Sequence, residues 1–332
     1  MNLSIKDNNN PSSLNCPYCG SHNVIKKGKR ANKYKSIQLY LCKECKKRFS
    51  DEFLKNKTYD TKDIINALTL YNKGLTLIEI CNKTGIPKST VSNWKNQYAK
   101  LFNLQKYAKL IREFSQNNDI ISRYKYLHKL VYIYQQNSFK LETFIRNKEK
   151  GLYDYLKHVN HGKIDNNIFL NSSLSASKVK LKINHAVALR KVNNNACKLA
   201  QIALATVDDN YKRHAAVEKI MLENDISTIA VEVPVFIDAG KSTIPLIKNL
   251  KSDNNFITGH IDILQYRNNK LYILDYKPNA DKEKPLGQLF IYACCLSKAT
   301  GIPFKKIELA WFDENVYYET GAMQVYKYLM QN

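Results

Sequence analysis

Two apolar runs, 260–266 and 271–277, flank the polar link Arg267-Asn268-Asn269-Lys270. Ile, Leu and Tyr on either side of a short polar turn predict an antiparallel hairpin. Before it, Thr228 to Ile237 alternates Val231, Val233 and Val235, which predicts a further strand, and Ile307 to Phe312 predicts another. Helical spacing is expected over 210–223, over Leu286 to Lys298 and from about Ala322 to Leu329.

The N-terminal third has a different rhythm. Ile64, Ile65, Leu68 and Leu70 place a helix over Thr61 to Tyr71, ended by Asn72-Lys73-Gly74. Leu75 to Lys83 makes a second short helix, Thr84-Gly85 a tight turn, and Pro87 opens a third helix through Trp94 to Leu101. Ile37 to Leu41 has strand composition. Residues 102–170 contain no Pro and only Gly151 and Gly162, so they read as helical. In that stretch Tyr124, Tyr126, Leu127, Leu130, Val131, Ile133 and Tyr134 are expected to form a core-facing stripe; their interleaving with lysines also suits stacking on unpaired bases. Ala176 to Thr206 is expected to be a second helical stretch.

The expected organisation is a multidomain α+β chain: a disordered leader over 1–15, a small domain over 16–57 holding four of the cysteines, a helix-turn-helix over 58–101, a helical connector over 102–175 and a C-terminal α/β/α core over 176–332. The 332 residues suffice for several domains with cores of their own.

Charge narrows the class. The formal charge is +23, and residues 1–100 hold 19 Lys and Arg against 7 Asp and Glu. A polyanionic partner follows, with nucleic acid the commonest. No run reaches the roughly 18 apolar residues of a membrane span, and the polar N-terminus lacks the apolar core of a signal peptide. The expected location is cytoplasmic and nucleoid-associated, without a membrane partner.

Four of the eight cysteines form two Cys-x-x-Cys pairs, Cys16/Cys19 and Cys42/Cys45. Two such pairs supply four soft ligands for a tetrahedral structural Zn²⁺. Cys81, Cys197, Cys294 and Cys295 sit in apolar surroundings as small core residues. The knuckle Cys16-Pro17-Tyr18-Cys19, the step Lys27-Gly28 and the tail Lys46-Lys47-Arg48-Phe49 resemble the zinc ribbon of insertion-sequence transposases. The segment Leu77 to Trp94 resembles the helix-turn-helix of the same class. Lys88, Ser89, Ser92, Asn93 and Lys95 face away from Val91 and Trp94, where they can reach phosphates and base edges.

On the C-terminal hairpin, Asp275 and Lys277 share one face of their strand, with Asp262 on the neighbouring strand. Two carboxylates can hold Mg²⁺ or Mn²⁺, and the lysine can orient or deprotonate water and offset charge on phosphate. Gly259-His260-Ile261-Asp262, then Asp275-Tyr276-Lys277, then Gln288 and Tyr292 in a Gln-x-x-x-Tyr element resemble the PD-(D/E)xK nuclease superfamily in its RecB-like branch. His214 and Glu218, four apart on a helix, match that family's first metal-binding residues. The resemblance implies a restriction-endonuclease-like core. It also implies metal binding by His214, Asp262, Asp275 and the Tyr276 carbonyl, with Glu218 binding directly or through water. Lys277 would then act on water, and Gln288 with Tyr292 would orient Lys277 or contact the DNA backbone.

The resulting expectation is a metal-dependent deoxyribonuclease with its own DNA-binding arm, leaving 5′-phosphate and 3′-hydroxyl ends, in a mobile element or genome-defence system. The alternative is a DNA-binding transposon accessory protein or regulator with a catalytically silent nuclease fold. Endo- or exonuclease action, RNA as substrate, and self-association or partner proteins stay open at this point.

Overall fold

The computed structural model describes residues 16, 18–19, 21–31, 36–50, 58–99, 101–172, 174–179, 181, 183, 190–191, 194–207, 209–242, 244–248, 250 and 256–331. The expected leader over 1–15 lies outside them. The chain divides into two compact units, Met1–Ile64 and Ile65–Asn332.

The first unit contains an antiparallel sheet of β1 (Val24–Ala31), β2 (Ser36–Cys42) and β3 (Arg48–Ser50), in that order. The β1–β2 register shifts between Lys26 and Lys29, where Gly28 takes a φ of 85°, so the Lys-Gly step marks a bulge. Tyr40 and Phe49 stack across β2 and β3 beside Cys16 and Cys42, a small core next to the knuckles.

Helix α1 (Thr61–Asn72) leads into the second unit, followed by α2 (Leu77–Thr84) and α3 (Lys88–Gln97). Thr76 and Glu79 cap α2 reciprocally: the Thr76 side chain accepts from the Glu79 amide and the Glu79 carboxylate accepts from the Thr76 amide. Gly85 ends α2 at a φ of 71°, a conformation glycine reaches without strain. Ile80, Val91 and Trp94 are buried.

After α4 (Ala108–Ser115), β4 (Ile121–His128) and β5 (Leu130–Asn137) form an antiparallel hairpin. The helical connector expected here is therefore corrected over 121–137. Tyr124, Tyr126, Ile133 and Tyr134 fit a helical stripe and a strand alternation equally well, and their aromatic and β-branched character favours the strand. Helical structure resumes in α5 (Ser138–Lys140), a π-helical turn Leu141–Ile145, α6 (Lys150–Asn160) and α7 (Asn166–Asn171). The second expected helical stretch is also corrected. After β6 (Leu174–Ser175), its described residues give a 3-10 turn Ala176–Lys178, β7 (Arg190–Lys191) and a helix, α8, confined to Asn195–Leu204. The Asn194 side chain accepts from the Ala196 amide and so fixes where α8 starts.

The remaining elements are α9 (Arg213–Asn224), β8 (Thr228–Asp238), α10 (Pro245–Lys248), β9 (Phe256–Arg267), β10 (Lys270–Tyr276), α11 (Leu286–Thr300), β11 (Ile307–Phe312), β12 (Tyr317–Gly321) and α12 (Ala322–Gln331). Among the described residues they build a nine-stranded mixed sheet in the order β4-β5-β8-β9-β10-β11-β12-β7, with β6 pairing β9. β10–β11 and β6–β9 are parallel; the other pairs are antiparallel. Asn268 and Asn269, both at positive φ, make the two-residue turn between β9 and β10. Helices α6, α11 and α12 share one apolar core with the sheet.

Helix α9 connects two parts of this unit. At its C-terminal end, buried Asn224 accepts hydrogen bonds from Asn72 Nδ2 at 2.9 Å and Thr69 Oγ1 at 3.2 Å on α1. Lys73 pairs with Glu223 at 2.7 Å, and Arg112 of α4 donates to the Gly74 carbonyl. Buried Lys140 donates to the carbonyls of Leu222, Asp225 and Thr228, closing the corner between α9 and β8.

Candidate functional site

His214 and Glu218 lie one turn apart near the start of α9, facing Asp262 on β9. One donor atom from each of the three lies within 4.8 Å of the others, and His214 Nδ1 is 3.8 Å from Asp262 Oδ2. The β9–β10 register pairs Ile263 with Leu274, so Asp262 and Asp275 are next on their strands. Asp275 is 1% exposed and sits outside the closest trio. Lys277 Nζ pairs with Asp275 Oδ2 at 3.0 Å, and both Asp275 oxygens are buried.

The fourth carboxylate comes from Glu232. It lies between the Val231–Ile263 and Val233–Ile261 pairs of the β8–β9 ladder, alongside Asp262. Its φ is +51°, a left-handed conformation that is uncommon for a side chain of this size. Its signal was being the lone carboxylate in the apolar run Thr228 to Ile237.

Burial and mutual repulsion shape the electrostatics. Burial, then the charges of Glu232, Asp262 and Asp275, hold the Glu218 carboxyl well above the usual range. Asp275 is raised in the same way by burial and Asp262, and Asp262 by burial and Glu232. Burial alone pushes Glu232 up to about 7. Burial works against the Lys277 ammonium, but Asp275 and Asp262 outweigh it and raise its pKa. His214 is lowered by burial and by the Lys277 charge, which favours a neutral imidazole with a lone pair to offer. Closely spaced, desolvated carboxylates beside a neutral imidazole are the donor set a divalent cation neutralises, so these residues fit Mg²⁺ or Mn²⁺.

Neighbouring groups fix the site. The Tyr276 ring meets His214 edge-on at 5.1 Å, and its backbone amide faces the Asp262 carboxylate. Gln288 Nε2 donates to the Tyr292 hydroxyl at 2.7 Å, so these two residues bond to each other one turn apart on α11. The charges of Asp262 and Asp275 reinforce the effect of burial in raising the Tyr292 phenol. His260, next to the motif residues, was given no role by sequence. Its Nε2 lies 2.9 Å from Nδ1 of His128 on β4, and Tyr132 of β5 stacks on it at 3.6 Å. Burial lowers His260 to about 3 and His128 to about 4, so both rings are neutral.

In the other unit, Cys16, Cys19, Cys42 and Cys45 form one cluster, with Sγ–Sγ distances of 3.6 Å for Cys16–Cys45 and Cys19–Cys42. The edge of a tetrahedral zinc–thiolate site is about 3.8 Å, so the four thiols fit a structural Zn²⁺. The Cys45 amide helps lower the Cys42 thiol to about 7.

On α3, Lys88, Ser89 and Asn93 are exposed and Ser92 is half-buried. Lys95 folds back over the Tyr71 ring at 5.6 Å. Residues 62–94 match the IclR helix-turn-helix domain. The chain carries a helix-turn-helix DNA-binding domain. No curated protein matches the chain. No solved structure matches it either. Among the described residues, no helix is long and apolar enough to cross a membrane.

Proposed function

We propose that this protein is a metal-dependent DNA nuclease of the PD-(D/E)xK type, RecB-like branch, with the zinc ribbon and helix-turn-helix as its DNA-binding arm. The observation that carries the reading is the convergence of His214, Glu218 and Asp262 within 4.8 Å beside the Asp275–Lys277 pair. Three elements, α9, β9 and β10, deliver these groups to one place, which an unselected cluster of surface acids would not require. Fold likeness alone would not carry it.

His214, Asp262, Asp275 and the Tyr276 carbonyl would hold Mg²⁺ or Mn²⁺, with Glu218 binding directly or through water. The cation supplies polarisation of the phosphate and a more acidic water. Lys277 enters as an ammonium and donates to the phosphate or to the attacking water as negative charge builds. Tyr276 holds the His214 ring, and the Gln288–Tyr292 pair walls the acidic side of the site against α11. Water attack on phosphorus would leave a 5′-phosphate and a 3′-hydroxyl.

The helix-turn-helix match also suits a DNA-binding regulator or transposon accessory protein with a silent site. Cleavage of linear and closed-circular duplex with Mn²⁺, Mg²⁺ or chelator, beside a Lys277→Ala control, separates the readings. Metal-dependent cutting lost in the variant is expected, and nicking of the circle makes the enzyme an endonuclease. Binding of both substrates without cutting sinks the nuclease reading in favour of the regulator.

A further inference from the structure

The β4–β5 hairpin exposes aliphatic side chains where an ordinary sheet edge would be polar. Leu127 is 55% exposed, Leu130 69%, Val131 56% and Ile133 49%. Leu127 pairs with Val131 and Lys125 with Ile133 on the ladder, so one face is an apolar tip followed by a cationic step. Arg123 lies further along the same face, opposite Gln135. Exposed aliphatic patches of this kind mark contact surfaces.

The opposite face is anchored. Tyr126 donates to the Val159 carbonyl at 2.6 Å, His128 stacks on Phe169 at 3.7 Å, and Lys129 donates to the Ser172 carbonyl. Through His128 and Tyr132 the hairpin rests on His260, two residues from Asp262. The apolar tip is therefore a fixed projection beside the acidic cluster.

Charge decides what it meets. Residues 121–137 contain Arg123, Lys125 and Lys129 and no carboxylate. A twofold pairing of β4 with a second copy would set these cations against their own equivalents, the arrangement that protects sheet edges from association. A polyanion is the complementary partner, and apolar side chains flanked by cations are the means by which proteins enter a groove and unstack bases.

We propose that the outer face of β4–β5 is a DNA wedge: Leu127, Val131 and Ile133 part the base stack of a duplex beside the acidic cluster while Arg123 and Lys125 hold its phosphates. The proposal rests on DNA being the molecule that reaches this cluster, but not on its being cut.

The test uses the full chain carrying Lys277→Ala, so that no substrate is consumed. The probes are a random-sequence duplex with 2-aminopurine near its centre and the same duplex with a central unpaired bubble. The parent should raise 2-aminopurine fluorescence and bind the bubble about tenfold more tightly, since part of the unstacking is already done. Leu127→Thr/Val131→Thr/Ile133→Thr, all on the exposed outer face, should abolish the fluorescence rise and bring the two affinities within about twofold. Arg123→Gln/Lys125→Gln should weaken both probes alike and lower the salt slope by about 2. No fluorescence rise in the parent, or an unchanged rise and bubble preference in the triple variant, overturns the wedge. A parent dimer that the triple variant converts to monomer also overturns it and makes the face a protein interface. A parent with the expected signals whose Lys277-bearing form never cuts would remove the cleavage reading alone.

Discussion

The ring of Tyr292 occupies the space a side chain at residue 259 would need: a Cβ built on Gly259 would lie 2.3 Å from Tyr292 Cε1 and 3.2 Å from Cζ. The glycine ahead of Asp262 is thus required by the close approach of α11 to β9, and the contact seats the phenol that Gln288 grips. Gly259→Ala should destabilise the fold by about 1–3 kcal/mol through overpacking. Tyr292→Ala should recover part of that loss when combined with it, so a double-mutant cycle on thermal unfolding should show coupling of about 1 kcal/mol or more. Additive effects would mean that the two residues do not press on one another.

Glu232 gives a pH signature. Its carboxyl is pushed up to about 7, above its unfolded value, so the folded state binds its proton more tightly. The cost of ionising it in place is absent below the unfolded pKa and complete above about 7. Glu232→Gln should therefore stabilise the metal-free protein at pH 8 by about 1–2 kcal/mol, with the gain fading as pH falls toward 5. The same variant should lose part of the thermal shift given by Mn²⁺. A gain that does not vary with pH would mean that ionisation of Glu232 is not its source.

Lys140 is buried and surrounded by three carbonyls. Burial lowers its pKa to about 7 while Asp225 and Glu223 act in the opposite direction. Lys140→Met would fill the volume but strand the carbonyls of Leu222, Asp225 and Thr228, and denaturant unfolding should show a loss of about 2–4 kcal/mol. A neutral result would show that water replaces the ammonium there.

For the cysteine cluster, metal analysis of the purified chain should give about one zinc per molecule, and Cys42→Ser should remove it. The Mn²⁺-dependent thermal shift should survive that substitution, because its ligands lie in the other compact unit. Loss of both together would mean that the metals are not independent.

The elements that carry the site were legible because their signals are local. The β9–β10 turn at Asn268-Asn269, the alternation of β8 and the four cysteines need only nearby residues to be recognised. The β4–β5 hairpin was not legible: tyrosines and aliphatics in 121–137 satisfy both periods, and only pairing of Gln135 and Gln136 with β8 resolves them. Glu232 was not assigned to the site from sequence, since a positive φ in mid-strand has no residue-type signal when glycine is absent. The His128–His260 contact joins residues 132 positions apart, beyond any spacing rule.

His214 and Asn224 stand on one unbroken helix, about 15 Å apart along its axis at 1.5 Å per residue. One end reaches the acidic cluster and the other is clasped by Thr69 and Asn72 of α1. A rod held this way behaves as a lever with both ends engaged. Tilting the clasped end by a few degrees would move the His214 imidazole by about an ångström, the displacement that separates a competent constellation from an idle one.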